Sequence, residues 1–252
     1  MNMKNQIIIF LVISILIGIT GCKERVEEKP FVFNGKSFLD LVTNSIKGDE
    51  KSKKTLEGLI SFDVALSTFN KIEVDSLEIN NSNYYTLLLE NQNPMYNLFA
   101  IVDKDLNLIL KDESLNGYLN LNFKKSGSRI FAVITEDFNS KDVIKLKRVT
   151  YYSLEEYASN LVFRQFTEFK SPQKEAQQVI SVISDTAIVT NIFYPSSKLK
   201  KESRDVFSFD VGKISYKSKN NFFDSLIYRE IRSYTGTINK KQIVDSLMLN
   251  SK

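Results

Sequence analysis

The chain has 252 residues, 42% of them hydrophobic and 25% charged, which fits a folded protein and excludes a disordered one. It holds no histidine and one cysteine; this excludes Ser-His-Asp and Cys-His catalysis and implies no zinc, copper or haem cofactor, leaving carboxylates, Lys, Tyr, Ser, Arg or oxygen-bound Ca²⁺ and Mg²⁺ for chemistry. A net charge of +4 is too small an excess to imply a nucleic-acid partner.

Met1–Gln6 carries one side-chain charge, Lys4, and is followed by an apolar run from Ile7 to Ile17 broken only by Ser14. A basic start and a short apolar stretch make an export signal. The run is too short for a hydrocarbon core that takes about 20 residues of helix to cross. It ends in Ile19-Thr20-Gly21-Cys22, which resembles the lipobox of bacterial lipoproteins. That resemblance implies residues 1–21 as a cleaved lipoprotein signal peptide and Cys22 as the lipid attachment site, diacylated on sulfur and acylated on its new amino group. One acyl chain holds a protein marginally, whereas two or three, at about 0.8 kcal/mol per buried CH₂, hold it stably. The expectation is a lipid anchor at the cell membrane or outer membrane, with the domain facing the periplasm or the surface. An ordinary secretory signal that ends in a cysteine is the competing reading.

Cleavage would leave 231 residues, a net charge of +3 once Lys4 is gone, and no cysteine beyond Cys22. Stability must then come from buried apolar surface without disulfides. Residues 22–30 form a tether: Lys23–Pro30 (KERVEEKP) holds one aliphatic residue among mixed charges and reaches about 25–30 Å at most. In enteric lipoproteins an Asp after the cysteine marks retention at the inner membrane; Lys23 departs from that signal and favours the outer membrane.

Residues 31–252 read as a single α+β domain with a possible sub-boundary near Tyr152. Ser37–Ile46 places Phe38, Leu41 and Val42 at helical spacing, with Ser37 as N-cap and Gly48 as stop, and a second helix is predicted from Lys51 to Ile60. From Ile72 the period changes to two. Strands are predicted at Tyr84–Glu90, Leu98–Val102, Leu106–Lys111, Tyr118–Lys124, Arg129–Glu136 and Val143–Val149, separated by short turns, Asn116-Gly117 among them as a type I′ hairpin pair. Short turns join antiparallel neighbours, so the expected fold is an antiparallel meander sheet with helices packed on one face and helices at both ends. Ile130–Ile134, apolar throughout, is the candidate central strand.

Ser153-Leu154-Glu155-Glu156 has the form of a capping box and predicts a helix to Phe169; Ser171-Pro172 predicts another to Ser181. Asp185–Tyr194 and Val206–Val211 read as strands around a loop at Pro195–Asp205. Asn221–Ile231 and Asn239–Leu249 read as closing helices.

Four patterns touch on chemistry. Asp103-Lys104-Asp105-Leu106-Asn107 imitates half a calcium loop but has Leu108 where the tight turn needs Gly and Ser114 where a bidentate Glu belongs, so a solvated turn is expected and no metal site. Ser171-x-x-Lys174 and Ser197-x-x-Lys200 match a penicillin-binding motif, yet 27 Ser and 27 Lys in 252 residues give about three such matches by chance, and the partner motifs are missing. The basic loop Ser197–Arg204 suits anionic headgroups or plain solvation. The pairs Tyr84-Tyr85, Tyr151-Tyr152 and Phe222-Phe223 suit core, with a glycan or peptide platform as the alternative.

Nothing in these residues names a catalytic group. The expected function is a lipid-anchored cell-envelope lipoprotein with a non-enzymatic binding or structural role and an envelope protein or glycan as partner. The alternatives are a carboxylate-dependent hydrolase of envelope polysaccharide, and an assembly accessory that pairs an exposed strand edge.

Overall fold

The computed structural model describes residues 36–139, 145–155, 158–171, 174–194 and 202–233. The signal, Cys22, the tether, Ser197–Lys200 and the helix expected at Asn239–Leu249 all lie outside the described residues.

Two helices open the described part, α1 (Lys36–Ile46) and α2 (Glu50–Ile60). Gly48 ends the first turn region at φ +94, a conformation glycine adopts without strain. The Asp49 carboxylate then caps α2 by accepting from the Ser52 amide at 2.8 Å. The apolar stripes, Phe38 and Val42 on α1 and Leu56 and Ile60 on α2, are buried against one face of a four-stranded sheet.

That first sheet is an antiparallel meander in the order β1 (Phe69–Ile79), β2 (Ser82–Asn91), β3 (Leu98–Asp103), β4 (Leu108–Asp112). Tyr85, Leu87 and Leu89 of β2 face the helices. Tyr84 and Leu88 face the other way, onto Leu119, Leu121, Ala132, Ile134, Tyr152 and Leu154 of the second sheet. Buried on both sides, the middle of β2 from Tyr84 to Leu89 is apolar except for Thr86. Burying each such Leu or Tyr contributes about 1.5–3 kcal/mol, so the two faces together hold helices, first sheet and second sheet as three layers.

The second sheet is antiparallel throughout, in chain order: β5 (Tyr118–Ser126), β6 (Arg129–Asn139), β7 (Lys145–Glu155), β8 (Ala158–Lys170), β9 (Glu175–Ile183), β10 (Ala187–Phe193), β11 (Glu202–Asp210) and β12 (Ser215–Lys217). β6 lies between β5 and β7, with Phe131 and Ala132 buried on opposite faces. β8 pairs with β7 along its length but with β9 only at Glu168–Lys170. The sheet therefore bends there and its later strands fold back over β6–β8. Phe131, Tyr151 and Phe163 meet Ile188, Phe207 and Tyr216 in a second core, with the Phe163 and Phe207 rings edge to face at 5.1 Å. A last helix, α3 (Phe222–Ser233), packs Phe223, Leu226 and Ile227 on Leu146, Phe166, Phe169, Ala176 and Ile192.

Several expectations need correction. One meander becomes two sheets, and the helices do not share a face: α1 and α2 cover the first sheet and α3 the second. The helix expected over Ser153–Phe169 is the end of β7 and most of β8. Register shifts opposite Lys147/Arg148 and Tyr151/Tyr152 leave Val162 and Thr167 without partners. These bulges break the two-residue period and put buried Val162, Phe163, Phe166 and Phe169 at helix-like intervals. The helix expected from Ser171 is β9: Ser171 closes a hairpin instead, its hydroxyl accepting from the Lys174 amide at 3.1 Å and its own amide donating to Lys174 O at 2.8 Å.

Asn116-Gly117 is not a hairpin but the link between the sheets, because the Asn116 amide is drawn to buried Glu136 at 2.7 Å. The two-residue turn with both φ positive is Asn80-Asn81, at 50° and 64°, between β1 and β2.

Candidate functional site

The bend in the second sheet leaves Leu161–Gln165 of β8 without a strand partner among the described residues on the side away from β7. Opposite them stand β12 and the loop that leads to α3. Between lies a cavity of about 600 Å³. Its floor is apolar, with Leu161, Phe163, Phe207 and Tyr216; its rim carries Lys213, Lys217 and Lys219, and Gln165, Asn221 and several serines complete it. Among the described residues no carboxylate lines it.

Tyr216 is fixed by donating to Ser184 O at 2.7 Å and by Arg129 Nη1, which donates to its hydroxyl at 3.4 Å while the guanidinium lies 4.1 Å over the Phe209 ring. Burial raises the Tyr216 phenol pKa, and Arg129 works against that rise. Lys217 is lowered from its ordinary value by desolvation first and by the neighbouring Lys213. Asn221 holds a left-handed φ of 41°, and its buried Oδ1 has no hydrogen-bond partner; neither has Oε1 of Gln165, a residue 5% exposed.

A second polar constellation lies between the two sheets. Arg148 grips Glu136 with both arms, Nε to Oε2 at 2.6 Å and Nη2 to Oε1 at 2.5 Å, and Nη2 also donates to Ser114 O at 3.0 Å. Arg164 pairs with Asp112 and donates from Nε to Thr150 Oγ1 at 2.9 Å and from Nη1 to Ser114 Oγ at 2.6 Å. Tyr152 donates to Asp112 Oδ2 at 2.6 Å. Burial alone would raise Asp112, but Arg164, Ser114 and Tyr152 overcome it and hold the carboxyl at about 2. Burial and the adjacent Asp112 charge push the Tyr152 phenol well up. Each named carboxylate and hydroxyl has its partner, so the cluster works as a staple between sheets.

Asp224, in the first turn of α3, is the described carboxyl whose proton affinity rises most, to about 7, because burial outweighs its hydrogen bonds from the Phe166 amide and Asn221. Asp205 adds to the rise. Asp205 accepts from Ser218 and from the amides of Val206 and Phe222, capping the start of α3. Neither carboxyl lines the cavity.

The residues singled out in the sequence fall elsewhere. Asp103 forms a turn, its Oδ1 accepting from the amides of Asp105 and Asn107 at 2.9 and 2.8 Å. The described residues hold no cluster of three or more metal-ligating His, Cys, Asp or Glu. Ser171 and Lys174 are spent on a hairpin. Both members of each tyrosine pair are buried; of the phenylalanines, Phe223 is buried and Phe222 exposed. Lys213, Lys217 and Lys219 were missed, although lysines at alternate positions around Tyr216 are a strand-edge signal visible in Lys213–Lys219 (KISYKSK).

Fold and cavity together define a class: an antiparallel two-sheet β protein with helical cover and a basic, amide-bearing cavity where its larger sheet fails to close. Comparison with protein-family models, with curated proteins and with solved structures finds no match to this chain. Among the described residues no helix is long and apolar enough to cross a membrane.

Proposed function

We propose that the protein is a lipid-anchored envelope lipoprotein that binds a small ligand without transforming it. The observation that carries binding over hydrolysis is the lining of the 600 Å³ cavity: lysines, amides and aromatic floor, with no carboxylate among the described residues. Glycoside hydrolysis by paired carboxyls needs two of them about 5–10 Å apart across a substrate. Asp224 has the raised affinity of a general acid, but its work is to bind the Phe166 amide. The anchor reading is supported by the sequence alone, by the single cysteine at the fourth position of a lipobox behind an apolar run.

An assembly role through the edge of β5 is less favoured. Leu119 on the outer strand β5 is already engaged by the first sheet, its amide donating to Glu90 Oε2 at 2.6 Å and its carbonyl accepting from Lys71 at 3.0 Å.

The test incubates the full-length protein in detergent with cell-wall polysaccharide and counts reducing ends. The expected result is no release above a blank. Release that disappears in the Asp224→Asn variant would establish the hydrolase instead.

A further inference from the structure

We infer that the cavity between β8 and β12 takes a small anion that also carries hydroxyl groups, the chemistry shared by sugar phosphates and sugar acids. This deepens the binding reading above and rests on it.

The anionic part follows from charge. Lys213, Lys217 and Lys219 all line the cavity and put three basic side chains around one space. An oxyanion placed among them gains charge-assisted hydrogen bonds that a neutral ligand does not. The acidic group that acts on Lys217 is Asp210, which sits in the adjoining turn with Oδ1 accepting from the Lys213 amide at 3.2 Å, and it is not part of the lining. The hydroxyl part follows from an orphaned acceptor. Gln165 belongs to the lining, is 5% exposed, and carries a buried side-chain oxygen without a donor among the described residues. A hydroxyl supplies what it lacks, and a bare oxyanion does not. The apolar floor of Leu161, Phe163 and Tyr216 suits the C–H face of a sugar ring.

The experiment is calorimetric titration of full-length protein in detergent with glucose 6-phosphate, glucuronate, glucose and sulfate. The expected order puts the two charged sugars at least about tenfold tighter than either glucose or sulfate. Lys213→Gln combined with Lys217→Gln should erase most of that advantage over glucose, and Lys219→Gln part of it, while Gln165→Met should bring glucose 6-phosphate toward sulfate. A preference between the two charged sugars identifies the anion. Equal binding of glucose and its phosphate, or lysine variants that bind like the parent, would overturn the assignment; so would an absence of heat with all four. These outcomes are independent of the polysaccharide assay, in which the binding reading itself stands or falls.

Discussion

Asp224 links the start of α3 to β8 through the Phe166 amide, yet its Oδ2 and the nearby Asn221 Oδ1 are both buried acceptors without donors. A protonated Asp224 gives that pair a hydrogen to share. The folded carboxyl keeps its proton up to about pH 7, whereas an ordinary one, at 3.8, releases it earlier. Folding therefore takes up a proton between those values, and this group's contribution to stability falls as pH rises from about 4 to 7, then stays level. Asp224→Asn, neutral at every pH, should unfold at higher temperature than the parent at pH 8 and within a degree or two of it at pH 4. A variant that melts lower at pH 8 would contradict the buried-proton account. Gly127 offers a steric test in the β5–β6 turn. Its φ is +59 and a Cβ would lie 2.8 Å from Asp185 Oδ1. Gly127→Ala should lose about 1–2 kcal/mol in urea unfolding, and an unchanged midpoint would count against that contact.

Between elements, the Glu136–Arg148 and Asp112–Arg164 pairs join β6, β7 and β8 to the end of β4. Both pairs are nearly sealed, with side chains no more than 10% exposed. Removing one member strands a buried charge, so Arg148→Leu should cost about 3–5 kcal/mol, while Glu136→Leu with Arg148→Leu should cost less than the single change. Denaturant curves decide, and a double variant less stable than the single would refute this. Asp112 sets the acid limit. Its lowered folded value gives a contribution complete above about pH 4 and lost as pH falls toward about 2.

The same elements show what was legible in the sequence. Strands with strict alternation, such as Leu119 and Leu121 of β5, and helices with a clear stripe, such as Phe38 and Val42, could be read because one local period decides them. β8 could not, because two bulges convert its burial into a helical rhythm, and Ser153 and Glu156 spell a capping box in the sequence when taken alone. The staple was invisible for a different reason. Asp112, Ser114, Glu136, Arg148 and Arg164 are brought together by the stacking of two sheets, which no spacing along the chain encodes. The cavity shares that fate, since it exists only because β8 leaves β9 after three paired residues.

For the whole molecule, helices, first sheet and second sheet form a layered body whose open seam lies between β8 and β12, and the proposed anchor would hold that body within a tether's length of a bilayer. Anchor and seam answer different questions, where the protein stands and what it holds, and each can fail without the other. Location is the central claim, and the mass of the N-terminal peptide from protein extracted from its native membrane tests it most directly. The account predicts a peptide that begins at Cys22 and carries the added mass of a diacylglyceryl group and an amide-linked acyl chain. A peptide that begins at Met1, or a Cys22 with a free thiol, would contradict it.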